Sequence, residues 1–177
     1  MFLNIIKYIF ELVKTAAVML LIAFIIQTFL IQTYIIDGIS MEPNFHTGEY
    51  IIIDKISYKF SPPKRGEVVV FDPLESPDSY IKRIIGLPRE SIKITNRAIY
   101  INDRKLDEPY LAELTETLTT SQTFNGKSYT LRDNEYFVLG DNRPNSKDSR
   151  SFGAIKINQV KGRALLVFFP FHNFHII

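Results

Sequence analysis

A serine in a turn and a lysine in a strand-like run could do chemistry together if the fold brings them close. Ser40 lies in Gly38-Ile39-Ser40-Met41-Glu42-Pro43, and Lys82 in Tyr80-Ile81-Lys82-Arg83-Ile84-Ile85. A serine hydroxyl is a weak nucleophile until a neighbouring base takes its proton. A lysine of ordinary pKa, ~10.4, is neutral in only about one molecule in 2,500 at pH 7. It serves as that base only when burial disfavours the ammonium form. Side chains alternate along a strand, so Tyr80, Lys82 and Ile84 share one face and Arg83 turns to the other. Lys82 is thereby expected between an aromatic and an aliphatic neighbour, with a lowered pKa. The plainer reading makes Ser40 a turn residue and Lys82 a solvated lysine.

Other arrangements are weaker. Ser61-Pro62-Pro63-Lys64 has the spacing of a helical Ser-x-x-Lys dyad, but its two prolines oppose the helix that would bring the groups together. Of the three histidines, His46 is only six residues beyond Ser40, and His172 and His175 sit in an aromatic C-terminal tail without a third evident ligand. No metal site or cofactor is expected. The chain has no cysteine, which excludes disulfides, thiolate ligands and a thiol nucleophile. With 21 basic and 19 acidic residues, scattered, it has no basic stripe for nucleic acid. A second polar cluster spans Gly140-Asp141-Asn142-Arg143-Pro144-Asn145-Ser146-Lys147-Asp148-Ser149-Arg150. Asp148 and Arg150, two positions apart, would lie on one side of an extended loop, and a scaffolding role is preferred to an exposed ion pair of little value.

These groups need elements to hold them. Residues 15–36 form an uncharged run of 22, about the length a membrane-crossing helix requires. Small residues of the kind that mark a cleavable signal do not follow it, so a retained anchor is expected. Lys7 and Lys14 precede the run and no Lys or Arg follows until Lys55, which places the N-terminus in the cytoplasm and residues 37–177 outside. At ~3.3 Å per extended residue, Ser40 would stay within about 30 Å of the span. Beyond it, strand-like segments succeed one another: Tyr50–Ile56, Glu67–Phe71, Tyr80–Ile85, Ser91–Thr95, Arg97–Ile101, Glu135–Leu139 and Ala164–Phe169. No long helices alternate with them, so the expected fold is mainly β, antiparallel and partly barrel-like, after one N-terminal transmembrane helix. The expected organisation is an anchor at 1–36 and an extracytoplasmic domain at 37–177, with residues 89–134 as a smaller inserted subdomain. Tyr110–Thr123 reads as an insertion or loop.

Four boxes in order behind the apolar run carry a resemblance: Gly38 to Pro43, Arg65-Gly66-Glu67-Val68-Val69-Val70-Phe71, Tyr80 to Pro88, and Gly140 to Arg150. Together they closely resemble bacterial type I signal peptidases, from the anchor to about Arg163. The resemblance implies a Ser–Lys serine protease with Ser40 as nucleophile and Lys82 as general base, and with Ser146 as a hydroxyl that hydrogen-bonds and orients the lysine. It implies that Asp148 and Arg150 support this loop, with Asp141 and Asn142 in the same cluster and Tyr80 and Arg83 flanking the base. Preprotein signal peptides, the lipid bilayer and nearby secretion machinery are the implied partners. Two positions depart from the pattern. Gly38 stands where many relatives have a serine that donates to the oxyanion, leaving the Ser40 backbone amide as donor. Arg89 stands where the family's Gly-Leu-Pro-Gly-Asp has its second glycine. The rival readings are a self-cleaving repressor-type protease of the same fold and a catalytically silent paralogue that only binds signal peptides.

Overall fold

The computed structural model describes residues 2–25, 30–112, 115–119 and 127–177. Helix α1, Phe2–Ile25, opens the chain. Ile22, Leu12, Leu20 and Leu21, at 100° per residue, point in four directions from its axis, and all are more than half exposed. Among the described residues no helix is long and apolar enough to cross a membrane. The uncharged run expected as one helix to residue 36 is divided. Its last part, Ile31–Ile35, is strand β1, paired along its length with β2, Tyr50–Asp54, from Ile31 opposite Asp54 to Ile35 opposite Tyr50. Ladder hydrogen bonds and the packing of Tyr34 on the core favour the strand over a continued helix here.

The remaining elements follow in chain order: α2 (Ser57–Phe60), β3 (Val68–Phe71), β4 (Tyr80–Gly86), β5 (Ser91–Thr95), β6 (Ala98–Ile101), β7 (Arg104–Lys105), β8 (Tyr129–Thr130), β9 (Glu135–Leu139), α3 (Ser149–Phe152), β10 (Ile155–Lys156), β11 (Val160–Phe169) and β12 (His175–Ile176). The principal sheet runs β1-β2-β11-β3-β4-β9-β10, with β12 added on β11, and every described pairing is antiparallel. A second sheet, β7-β6-β5-β8, is built entirely between Ser91 and Thr130. The fold is therefore mainly antiparallel β. Of the expected loop Tyr110–Thr123, residues 113, 114 and 120–123 lie outside the described residues.

The Val-Val-Val-Phe of β3 shows why a continuous apolar run suits the middle of this sheet. Val68 and Val70 pack with Met41, Phe45 and Ile53 on one side, whereas Val69 and Phe71 pack with Ile84, Tyr136 and Val138 on the other. Both faces are covered, so all four side chains are buried. In the second sheet, two-residue turns join β5 to β6 and β6 to β7. Asn96-Arg97 and Asn102-Asp103 all have positive φ, as the tightest hairpin turns require. Arg89 also has a positive φ of 69°. The turn therefore keeps the left-handed conformation for which the family pattern uses glycine.

Candidate active site

Ser40 sits in the loop between β1 and β2. Backbone hydrogen bonds close the base of that loop: Ile36 N–H to Glu49 O at 2.8 Å, and Gly48 N–H to Ile36 O at 2.8 Å. Met41 and Phe45 bury themselves in the core and carry the loop's inner side with them. Lys82 lies on β4 opposite Val69 of β3, on the same face as Tyr80 and Ile84. The sheet brings them together: Lys82 Nζ is 2.7 Å from Ser40 Oγ. The same nitrogen donates to Ile81 O at 2.8 Å and lies 5.4 Å from the centre of the Tyr80 ring. Lys82 is only 4% exposed. Burial lowers its pKa from the ordinary lysine value to about 8, against the opposing pull of the Asp148 and Asp141 carboxylates.

Both carboxylates are held by arginines. Arg150 grips Asp148 through two parallel hydrogen bonds, Nε to Oδ1 at 2.8 Å and Nη2 to Oδ2 at 2.7 Å, with both side chains buried. The same guanidinium donates to Arg143 O at 2.6 Å and to Leu118 O at 3.2 Å. Arg83 does likewise for Asp141, at 2.8 and 2.6 Å, beneath the Tyr110 ring at 4.2 Å. Thus Arg83 and Lys82 diverge from adjacent positions, as strand alternation requires. Asn142 ties this cluster to the serine loop: its N–H donates to Ser40 O at 3.0 Å and its side-chain amide to Ile39 O at 3.0 Å. Gly140 permits the approach. A Cβ there would collide with both Ser40 O and Ser146 Oγ.

One family-derived expectation differs from the observed contacts. The Ser146 hydroxyl is buried but makes no hydrogen bond with any described residue, so the expected bond to Lys82 is not formed. It is packed over Gly140 instead, and Ile81 O takes the lysine's second donor. Gly38 has φ +103°, a conformation that disfavours any side chain, and its N–H donates to Thr47 Oγ1 at 3.1 Å. The Gly38 amide is therefore committed elsewhere.

A cleft of about 580 Å³ opens over the pair, walled by residues 34–40 on one side and 78–82 on the other. Part of each wall is a strand edge with no β neighbour among the described residues: Tyr34–Ile35 of β1 and Tyr80–Lys82 of β4. β1 ends the sheet, and β9 accompanies β4 only from Arg83 onward. Ile35, Ile36, Ile39, Ile51, Val70 and Ile81 give the lining aliphatic patches, beside the polar Asp37, Asp78, Ser79, Asn145 and Lys147.

Comparison with known proteins settles the lineage. The family model described as signal peptidase, peptidase S26, matches residues 9–169. The chain belongs to that family. It is 37% identical over 184 residues to signal peptidase IB of Staphylococcus aureus (strain COL), covering 96% of each chain. It is 36% identical over 167 residues to signal peptidase I of Bacillus licheniformis, covering 92% of this chain and 90% of the relative. A probable signal peptidase I-2 of Synechocystis sp. is 37% identical over 166 residues, covering 90% of this chain and 73% of that one. A crystal structure of a signal peptidase I from Enterococcus faecalis V583 aligns with TM-score 0.48 and 32% identity, over 58% of this chain and 97% of that one. The protein is a serine endopeptidase of the S26 family.

Several residues that shape the peptidase's site were given no role from the sequence. Asn44 donates to Asp141 Oδ2 at 2.8 Å and to Tyr110 O at 2.8 Å. Arg143 is buried, pairs with Glu108 and Thr117, and donates to Gly140 O at 3.1 Å. Glu108 and Thr117 come from the segment between β7 and β8 of the second sheet, and nothing in their local sequence sets them apart from surface residues. The Ser61–Lys64 pair lies beyond α2 with both side chains exposed. Among the described residues no cluster suited to a metal is found.

Proposed function

We propose that this peptidase removes signal peptides from exported preproteins at a membrane surface, with Ser40 as nucleophile and Lys82 as general base. The observation that carries the reading is the 2.7 Å separation of Ser40 Oγ from a buried Lys82 amine whose pKa is lowered to about 8. Neutral Lys82 accepts the Ser40 proton as Oγ attacks the scissile carbonyl. The resulting ammonium then donates that proton to the departing amine, and water hydrolyses the acyl-enzyme by the same route reversed. The Ser40 N–H is the candidate oxyanion donor. Ser146, Asp148, Arg150, Asp141, Asn142, Tyr80 and Arg83 are positioning residues around the pair, and Asp148 and Arg150 act through the loop they fold.

The cleft supports an extended peptide as substrate. Each wall includes a short strand edge without a β neighbour, which supports addition of an incoming chain as a strand, and the aliphatic patches between the polar groups suit small side chains at the cut. The exposed apolar surface of α1, with the uncharged sequence that continues past it, supports membrane attachment with the N-terminus in the cytoplasm. Mass spectrometry of a preprotein incubated with full-length wild type and Ser40→Ala in lipid vesicles tests the reading. Loss of processing in the variant is expected; equal processing by both excludes it.

A further inference from the structure

Residues 170–177 lie beyond those matched by the family model, yet they fold back on the loop that carries Ser40. A 3-10 turn at Phe171–Asn173 leads into β12, which pairs with β11 through Ile176 opposite Leu166 and His175 opposite Val167. Ile177 N–H closes the end on Leu165 O at 2.9 Å. Two tail side chains then reach the loop. Asn173 Nδ2 donates to Glu49 Oε1 at 2.6 Å, and the His175 ring rests on that of Phe45, centres 5.9 Å apart. Glu49 is 2% exposed and forms no ion pair among the described residues. Its other oxygen accepts the His46 N–H at 2.9 Å, while its backbone carbonyl accepts from Ile36. A buried carboxylate without a cation depends on such donors, since leaving one side unmade carries the full desolvation penalty.

From this we infer that the C-terminal segment is a clasp, with Asn173 and Glu49 as positioning residues that hold the 37–48 loop and hence Ser40 against Lys82. The loop is anchored at its base by Glu49 and at its inner side by Phe45, and the tail touches both. The inference rests on Ser40 being the nucleophile, but it makes a separate claim about what fixes that residue.

The polarity of the Asn173–Glu49 bond provides the test. Asn173→Asp sets two carboxylates against each other. Adding Glu49→Gln reverses the pair: the new amide at position 49 accepts from His46 N–H and donates to the new carboxylate at position 173. In the full-length enzyme in detergent micelles, Asn173→Asp is expected to lower kcat about tenfold or more with KM little changed, the scale of a small misplacement of a reacting group. Amide exchange in residues 37–48 is expected to accelerate about tenfold while β5 and β6 stay as in wild type. The Glu49→Gln/Asn173→Asp pair is expected to restore both. Unchanged kcat and exchange in Asn173→Asp would overturn the clasp, as would accelerated exchange with normal kcat, or failure of the double variant to recover. Should Asn173→Asp not fold, Asn173→Ala read by the same two measurements serves in its place, normal values again overturning the inference. Processing that survives Ser40→Ala would refute the nucleophile assignment alone, because loop exchange reads the clasp without reference to activity.

Discussion

The pH dependence of cleavage tests the reasoning most directly. At a pKa of about 8, roughly one Lys82 in ten is neutral at pH 7, against about one in 3,000 at the unshifted 10.5. The fold therefore raises the reactive fraction roughly 300-fold, equivalent to about 3 kcal/mol. With chemistry limiting, kcat/KM for a signal-peptide substrate is expected to rise about tenfold from pH 6 to 7, bend near 8, and level off by pH 9 to 10. The assay is an initial-rate titration of the full-length enzyme in detergent, with fold integrity checked at each pH by circular dichroism. A profile flat from pH 6 to 10, or one that bends only near the ordinary lysine value, would refute the claim that burial of this amine creates the base.

Other outcomes follow from the same geometry. Because the folded pKa of Lys82 lies below the unfolded one, the unfolded state binds more protons between about pH 8 and 10.5, and wild-type stability rises with pH across that window. Lys82→Met removes this dependence, and at pH 7 it is expected to gain up to about 3 kcal/mol, less the lost bonds to Ser40 and Ile81, in denaturant titrations of an inactive enzyme. Arg150→Met leaves Asp148 buried without its partner. A loss of about 3–5 kcal/mol is expected by thermal unfolding, and in any folded fraction the bend in the pH profile moves upward as the unscreened carboxylate favours the ammonium. Gly140→Ala pushes a methyl group against Ser40 O and Ser146 Oγ, and a fall of about 100-fold in kcat, with the fold retained, is the expected kinetic result.

Much of the β architecture could be read from local pattern. Period-two alternation in Tyr80–Ile85 separated Lys82 from Arg83, and the structure puts them on opposite sides of β4 for the same steric reason. Strand β1 was concealed because Ile31–Ile35 extends an uncharged run, and only its partner β2, some twenty positions later, reveals it as a strand. Two-residue strands such as β7, β10 and β12 are too short to show a period. The Ser40–Lys82 approach is a product of long-range pairing, which residue types and spacing do not encode, and the family resemblance supplied it. The burial of Asp148 and Arg150 was equally hidden: two residues two positions apart read alike whether a loop covers them or water does. Arg143 with Glu108, and Glu49 with Asn173, join segments far apart in sequence, so local reading had no means of matching them.

The two short strand edges that flank the cleft, Tyr34–Ile35 of β1 and Tyr80–Lys82 of β4, constrain the shape of a chain that pairs there. An α-helix has already spent its amides on its own carbonyls, so it cannot bond to these borders. On the proposed reading, a helical substrate must unravel at its end before its backbone pairs beside Ser40. On that reading the cut falls where the unravelling stops, and a proline whose missing N–H coincides with a border acceptor is expected to block it.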